Sequence, residues 1–299
     1  MTTSLNKAKD WAGRLWAESA ALWAERSVQD DNYRRYVVEP VLLRQMKQVG
    51  LNSSSKIIEI GCGDGSHVVF LRGELGKMGL NSVHIVGIDN NESLIRKAKE
   101  KASSVNNARF EVGDATSVEA TAEIMKSTGQ VDLVIAMFLL QDTPDLEGVL
   151  TVVQAILKKG GHFIALVVHP NFAERLDDTG HLKRYGGTDL PLFYMSNSGL
   201  VQWRYIGYYP ILKADGPPFY LPYFHRTVAD YRDAFIKKKF DVAAEISLIP
   251  DCGISGKWRE AKIEPFYESL WNVYWPYILK EPSSILIHAV NGRGATIGC

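Results

Sequence analysis

The stretch Lys56-Ile57-Ile58-Glu59-Ile60-Gly61-Cys62-Gly63-Asp64-Gly65-Ser66 decides how this 299-residue chain is read. A short apolar run, interrupted only by Glu59, leads directly into three alternate glycines and then into a segment of helical periodicity. Glycine lets the backbone turn tightly at the carboxyl end of a strand and lets a ligand approach the main chain. A glycine-rich turn by itself is weak evidence, so its surroundings decide its weight.

Outward from that turn, apolar runs recur at 83–88, 108–112, 131–137 and 162–168. Helix-like stretches at 65–78, 92–103, 117–126 and 145–158 lie between them. This alternation predicts βαβ units and a parallel sheet, an α/β protein. Residues 5–50 read as two or three helices, with Trp11, Leu15, Trp16, Leu22 and Trp23 at helical intervals. After Pro170 the rhythm stops, and residues 180–225 are rich in Gly, Pro and aromatics. That is too long for a simple connection and reads as a functional insertion. The pattern resumes with a helix at 227–238, Thr227 as its N-cap, and a strand at 240–246. A second aromatic block, 265–277, precedes a closing strand at 284–290. The expected division is a helical N-terminal extension (1–50), a cofactor-binding core (51–170), an aromatic cap (171–225) and the rest of the core sheet (226–299).

Two further acidic residues belong with the glycine turn. Asp89 ends the second strand, 24 residues after Gly65, and Asp114 ends the third, 25 residues later. Ligands of open parallel sheets sit outside the carboxyl ends of the strands, so Glu59, Asp89 and Asp114 are expected to converge on one crevice. Asp89 is placed to accept both hydroxyls of a ribose. Asp114, with the Ala115 N–H beside it, suits an adenine amino group. Each has a competing local reading as a helix N-cap. A dinucleotide pyrophosphate wants a third glycine at the G-x-G-x-x-G spacing. This chain has Ser66 there and adds Glu59 and Asp64, which would repel phosphate and suit a ligand bearing an ammonium and a sulfonium.

The segments EIGCGDG (59–65), GIDNN (87–91), FEVGDA (110–115) and VDLVIAMFLL (131–140) resemble the successive cofactor motifs of class I, Rossmann-like S-adenosylmethionine-dependent methyltransferases of the small-molecule type. The resemblance resumes at 224–242 and 285–290. It implies a seven-stranded, mostly parallel sheet with its last strand antiparallel. It also implies S-adenosyl-L-methionine as cofactor. Glu59, Gly61, Cys62 and Gly63 would contact the methionine part and Asp89 the ribose. Asn90 would flank the adenine, Asp114 and Ala115 would recognise it, and the Ala136–Met137 main chain would lie beside the sulfonium. Many relatives carry a histidine just after the fourth strand, where this chain has Gln141-Asp142. Tyr33 and Tyr36 are placed to close over the cofactor from the N-terminal region.

On the acceptor side, His169 follows the fifth strand and His225 precedes the helix after the insertion. Either could take a proton from a nucleophile, and either could simply fix a loop. His162 and His288 read as structural, and His67 and His84 as surface residues. Cys62 reads as inert apart from its backbone. The concentrated aromatics suit a small hydrophobic or aromatic substrate, a specialised metabolite whose methylated atom is nitrogen, oxygen or carbon. Lys plus Arg and Asp plus Glu are equal at 34 each, which disfavours a nucleic-acid partner. Three scattered cysteines suggest neither disulfides nor a metal site and fit the cytoplasm. The longest apolar run, 133–140, is too short for a membrane span. Exposed aromatic helices would suit a homodimer. The competing functional readings are a nicotinamide-dependent oxidoreductase and a non-methylating enzyme or binding protein on the same cofactor fold.

Overall fold

The computed structural model describes residues 2–26, 34–170, 206–211, 219–248, 282 and 284–292. The strands are β1 (Lys56–Ile60), β2 (His84–Asp89), β3 (Ala108–Val112), β4 (Val131–Met137), β5 (Leu157–Val168), β6 (Ile206–Ile211), β7 (Phe219–Phe224), β8 (Phe240–Leu248) and β9 (Ser284–Asn291). The helices are α1 (Thr2–Arg26), α2 (Glu39–Gln48), α3 (Ser66–Lys77), α4 (Glu92–Lys101), α5 (Val118–Thr128), α6 (Leu146–Ile156) and α7 (Val228–Lys237), with a π-helical turn at Arg34–Val38 leading into α2. Seven strands form one sheet in the order β3-β2-β1-β4-β5-β9-β8, and β6 pairs with β7 as a separate hairpin. Neighbours from β3 to β5 are parallel, whereas β9 is antiparallel to both β5 and β8. The last strand therefore runs against the other six, in the topology that the motif resemblance implies.

Both faces of the sheet are covered, which is why its central strands are apolar throughout rather than alternating. On one face Ile58, Ile60, Val134 and Ala136 join residues of α6 and α7 such as Val149, Val153 and Phe235. On the other, Ile57, Ile85, Leu133 and Ile135 pack with Leu42 and Met46 of α2 and Val68, Leu71 and Leu75 of α3.

Helix starts follow local chemistry. Asn91 caps α4 by accepting from the Ser93 and Leu94 N–H groups, and Ser117 caps α5 through Ala120. The expected cap at Thr227 forms, with Asp230 completing a reciprocal capping box. The fifth strand departs from expectation. It begins at Leu157 rather than 162, because Leu157 turns to extended backbone and pairs with Val131.

Helix α1 lies across the carboxyl edge of the sheet and ties distant elements together. Its Ala8, Ala12 and Trp11 pack on Phe224 of β7, and the Trp11 and Phe224 rings meet edge to face at 5.7 Å. Its Ala20, Ala24 and Trp23 pack on Leu94 of α4. Lys9 pairs with Asp145 at the start of α6 (2.6 Å) and donates to the Thr116 hydroxyl (3.2 Å). Among the described residues, no helix is long and apolar enough to cross a membrane.

Candidate functional site

The strand order reverses direction between β1 and β4, and such a reversal opens a crevice at the carboxyl ends of the two strands. The loops after those strands meet there. A methyl group added to Gly61 would come within 3.0 Å of the Leu139 side chain. Gly61, Gly63 and Gly65 have φ of +67°, +55° and +75°, the left-handed region that side chains disfavour. Gly65 is further constrained, since an added Cβ would sit 2.7 Å from Phe110 of β3 and 2.8 Å from Ala98 of α4. The glycine turn is thus wedged between two elements and cannot relax outward. Trp23 of α1 reaches the same turn, its indole nitrogen 3.7 Å from where a Gly63 Cβ would stand.

Glu59 alternates with Ile57 on the face of β1 that α3 covers, and its side chain is almost wholly buried. Its Oε1 meets Nδ1 of His67, in the first turn of α3, at 3.0 Å. Glu59 Oε2 and His67 Nε2 are buried without a hydrogen-bond partner. His67 is therefore not the surface residue expected of it. The helical repeat turns it under the loop, where it stacks on Phe70 at 5.9 Å.

Asp89 stands at the end of β2 beside the same turn. Its Oδ2 accepts the Gly63 N–H and its Oδ1 the Asn91 N–H, both at 2.9 Å. Each oxygen keeps a second lone pair for a ligand. Burial raises the Asp89 pKa; the two N–H bonds oppose that, and the Glu59 carboxylate adds to it. Asn90 next to it is exposed. The Cys62 thiol is pushed well up by burial, then by Asp89, Glu59 and Asp64, so it is not a nucleophile near neutral pH. Asp114 is half-buried and accepts the N–H and hydroxyl of Thr116 at 2.7 and 2.8 Å. Since Asn91 and Ser117 are the helix caps, neither Asp89 nor Asp114 serves as one. Ala115 is half-buried, Ala136 fully buried, and Met137 partly buried at the end of β4. Tyr33 lies outside the described residues, as does the side chain of Tyr36.

Asp64 corrects one expectation. Its carboxylate is held by Lys101 of α4 and accepts from the Ser66 N–H and hydroxyl, at 3.2 and 3.1 Å. Lys101 offsets its charge, so the negative potential at the rim comes from Glu59 and Asp89. A lysine 37 residues downstream could not be matched to Asp64 from the sequence.

On the acceptor side, His169 follows β5 and is buried, which lowers its pKa. His225 is buried at the end of β7, with its Nδ1 3.3 Å from the Tyr223 hydroxyl. β7 is fixed to the loop after β4 by the Phe224 N–H, which donates to the Gln141 carbonyl at 2.7 Å. Arg226, wholly buried, donates to the Leu140 and Thr143 carbonyls at 2.7 and 2.9 Å. That brings His225 and the Gln141-Asp142 loop to one side of the crevice. Burial pushes the Asp142 carboxyl well up, against a hydrogen bond from Gln141. Local sequence did not single out Arg226, whose partners lie more than 80 residues away.

A two-glycine approach to the main chain, a partnerless buried carboxylate oxygen and a ribose-height aspartate fit an adenosyl ligand with a cationic tail. Comparison with known proteins agrees. A family model described as a methyltransferase domain matches residues 51–190. A demethylmenaquinone methyltransferase of Staphylococcus aureus (strain JH9) is 29% identical over 123 residues, 41% of this chain and 47% of that protein. The chain thus matches about half the length of such curated relatives. Among solved structures, an S-adenosylmethionine-dependent methyltransferase from Clostridium acetobutylicum superposes with a TM-score of 0.51 at 14% identity, over 93% of this chain and 99% of that one. A chain of the Haloferax volcanii complex between the Trm112 methyltransferase activator and a methyltransferase gives 0.55 at 15% identity, over 92% and 96%. At those identities the structures speak for the fold. Residues 51–190 thus match a methyltransferase-domain model, on a fold shared with class I, Rossmann-like, S-adenosylmethionine-dependent methyltransferases.

Proposed function

We propose that the chain transfers a methyl group from S-adenosyl-L-methionine to a nitrogen, oxygen or carbon of a small hydrophobic or aromatic metabolite. The observation that carries this reading is the pair of carboxylates, Glu59 and Asp89, at the glycine turn of the β1–β4 crevice. The cofactor supplies an electrophilic methyl on a sulfonium. Glu59 would accept the ammonium of its methionine part, with Gly61, Cys62 and Gly63 offering main chain. Asp89 would take the ribose hydroxyls, Asn90 would flank the adenine, and Asp114 with Ala115 would recognise it. The Ala136–Met137 backbone would line the sulfonium, and Tyr33 would close over the cofactor.

A phenol, hydroxyl or ammonium acceptor must lose a proton, and His169 and His225 are the candidate proton acceptors. Burial keeps His169 neutral, the form that accepts. A quinone-type ring as substrate draws support from the Staphylococcus relative and from the aromatic load of residues 193–224 and 271–277. Those residues lie for the most part outside the described ones, so the cap is read from composition. Equal acidic and basic counts favour a small molecule over nucleic acid, and the cysteine usage favours a cytoplasmic setting.

The test is calorimetry with S-adenosylhomocysteine, followed by mass spectrometry of candidate aromatic acceptors for the gain of one methyl group. Binding with turnover is expected. Replacing His169 or His225 should then lower turnover more than cofactor affinity. Binding of a nicotinamide dinucleotide in place of S-adenosylhomocysteine would return the chain to the oxidoreductases.

A further inference from the structure

A carboxylate on the central strand of a sheet is costly to bury unless both of its oxygens find donors. Glu59 has one donor. Its Oε1 accepts from His67 Nδ1 at 3.0 Å, and its Oε2 is buried with no partner. Because a carboxylate offers no proton, Nδ1 must carry the hydrogen, which fixes the tautomer and leaves Nε2 bare in the neutral ring. That Nε2 is also buried and unpartnered, and the ring is held flat against Phe70. A histidine that served packing alone would not need its proton on the nitrogen facing the acid. The carboxylate also lies beneath the first turn of α3, whose amide ends favour negative charge. Asp89, close enough to feel Glu59, supplies a second negative charge at the turn.

We infer that His67 is the positioning residue of the cofactor site: it holds one oxygen of Glu59 so that the other faces the ammonium of the cofactor's amino-acid end. This rests on the methyltransferase reading above and adds a residue to it. His67 itself touches no ligand. It acts by removing the rotational freedom of Glu59, so the acid meets the cation already oriented, and less ordering is left to be done on binding.

The test compares two ligands by calorimetry on the whole chain. S-adenosylhomocysteine has the ammonium; 5′-methylthioadenosine keeps the adenosine and lacks the amino-acid end. His67→Phe preserves the ring stack and removes the donor. It should weaken S-adenosylhomocysteine roughly tenfold, the worth of about one hydrogen bond to a charged group, and leave methylthioadenosine unchanged. His67→Asn places an amide N–H where Nδ1 stands and should recover most of the loss. Glu59→Gln, which keeps an acceptor for His67, should show the same ligand-selective loss and guards against a misfolded His67 variant. Equal weakening of both ligands, or wild-type affinity in His67→Phe, overturns the inference while leaving the cofactor reading intact. A native chain that fails to bind S-adenosylhomocysteine overturns that reading, and the inference with it.

Discussion

Asp89 shapes the glycine turn, and in the proposed cofactor site the same carboxylate would also take the ribose hydroxyls, so the balance of the two sets what its removal costs. Each oxygen spends one lone pair on a backbone N–H, Gly63 in the turn and Asn91 ahead of α4. Each oxygen keeps a second lone pair, enough in the proposed site for two hydroxyls. On the proposed cofactor site, Asp89→Ala would lose those ligand bonds and loosen the loop that shapes the glycine turn. Bonds to a charged acceptor are worth about 1.5–3 kcal/mol each, so S-adenosylhomocysteine affinity should fall at least roughly tenfold in calorimetry. Unchanged affinity would remove Asp89 from the ribose site. At this scale the sequence showed which acids line the turn, because strand ends carry a visible pattern. It could not show their partners. Asp64 looked like a third bare charge until Lys101 proved to hold it, and His67 looked like a surface residue until α3 turned it beneath the loop.

Strands and helices were legible because their signals are local: apolar runs, helical spacing, and cap residues such as Thr227. What escaped was pairing at a distance. The β6–β7 hairpin lies in a stretch that reads as an insertion, and nothing local foretells that α1 packs on β7 and anchors through Lys9 to Asp145. The glycine turn shows how such contacts sharpen a local motif. Its sequence marks Gly65 as a turn residue, but only the fold brings Phe110 from β3 and Ala98 from α4 against its missing side chain. Gly65→Ala must adopt a left-handed backbone and displace an aromatic ring. Together these should cost about 2–4 kcal/mol of stability, measured by urea unfolding. Gly73, on the exposed course of α3 with open space around it, is the control. Gly73→Ala should be neutral or stabilising by up to about 1 kcal/mol. Equal effects at the two positions would mean that the turn is not wedged as described.

Across the whole molecule, one polar chain crosses the apolar interior far from the crevice. His162 Nδ1 meets His288 Nε2 at 2.8 Å, and His288 Nδ1 meets Gln45 of α2 at 3.0 Å, linking β5, β9 and α2. With Gln45 accepting, His288 carries its proton on Nδ1 and accepts from His162 through Nε2. Burial, and then the neighbouring His162, lower the His288 pKa to about 4. In the unfolded chain it would lie near 6.5. Below that value the unfolded state takes up a proton that the folded state refuses. This contribution to stability is therefore complete above pH 6.5 and is lost as the pH falls toward 4. One group shifted that far accounts for at most about 3 kcal/mol, and solvent screening at the half-buried His162 beside it reduces that. Urea unfolding of the native chain and of His288→Gln, each at pH 7.5 and pH 4.5, isolates the effect. The substitution itself should destabilise at pH 7.5, because it disturbs a buried network. The native chain should nevertheless lose more stability between the two pH values than the variant does, by roughly 1–3 kcal/mol. Identical losses would show that His288 takes up its proton in the folded sheet as readily as in solution, and that the chain from β5 to α2 tolerates a charge at its centre.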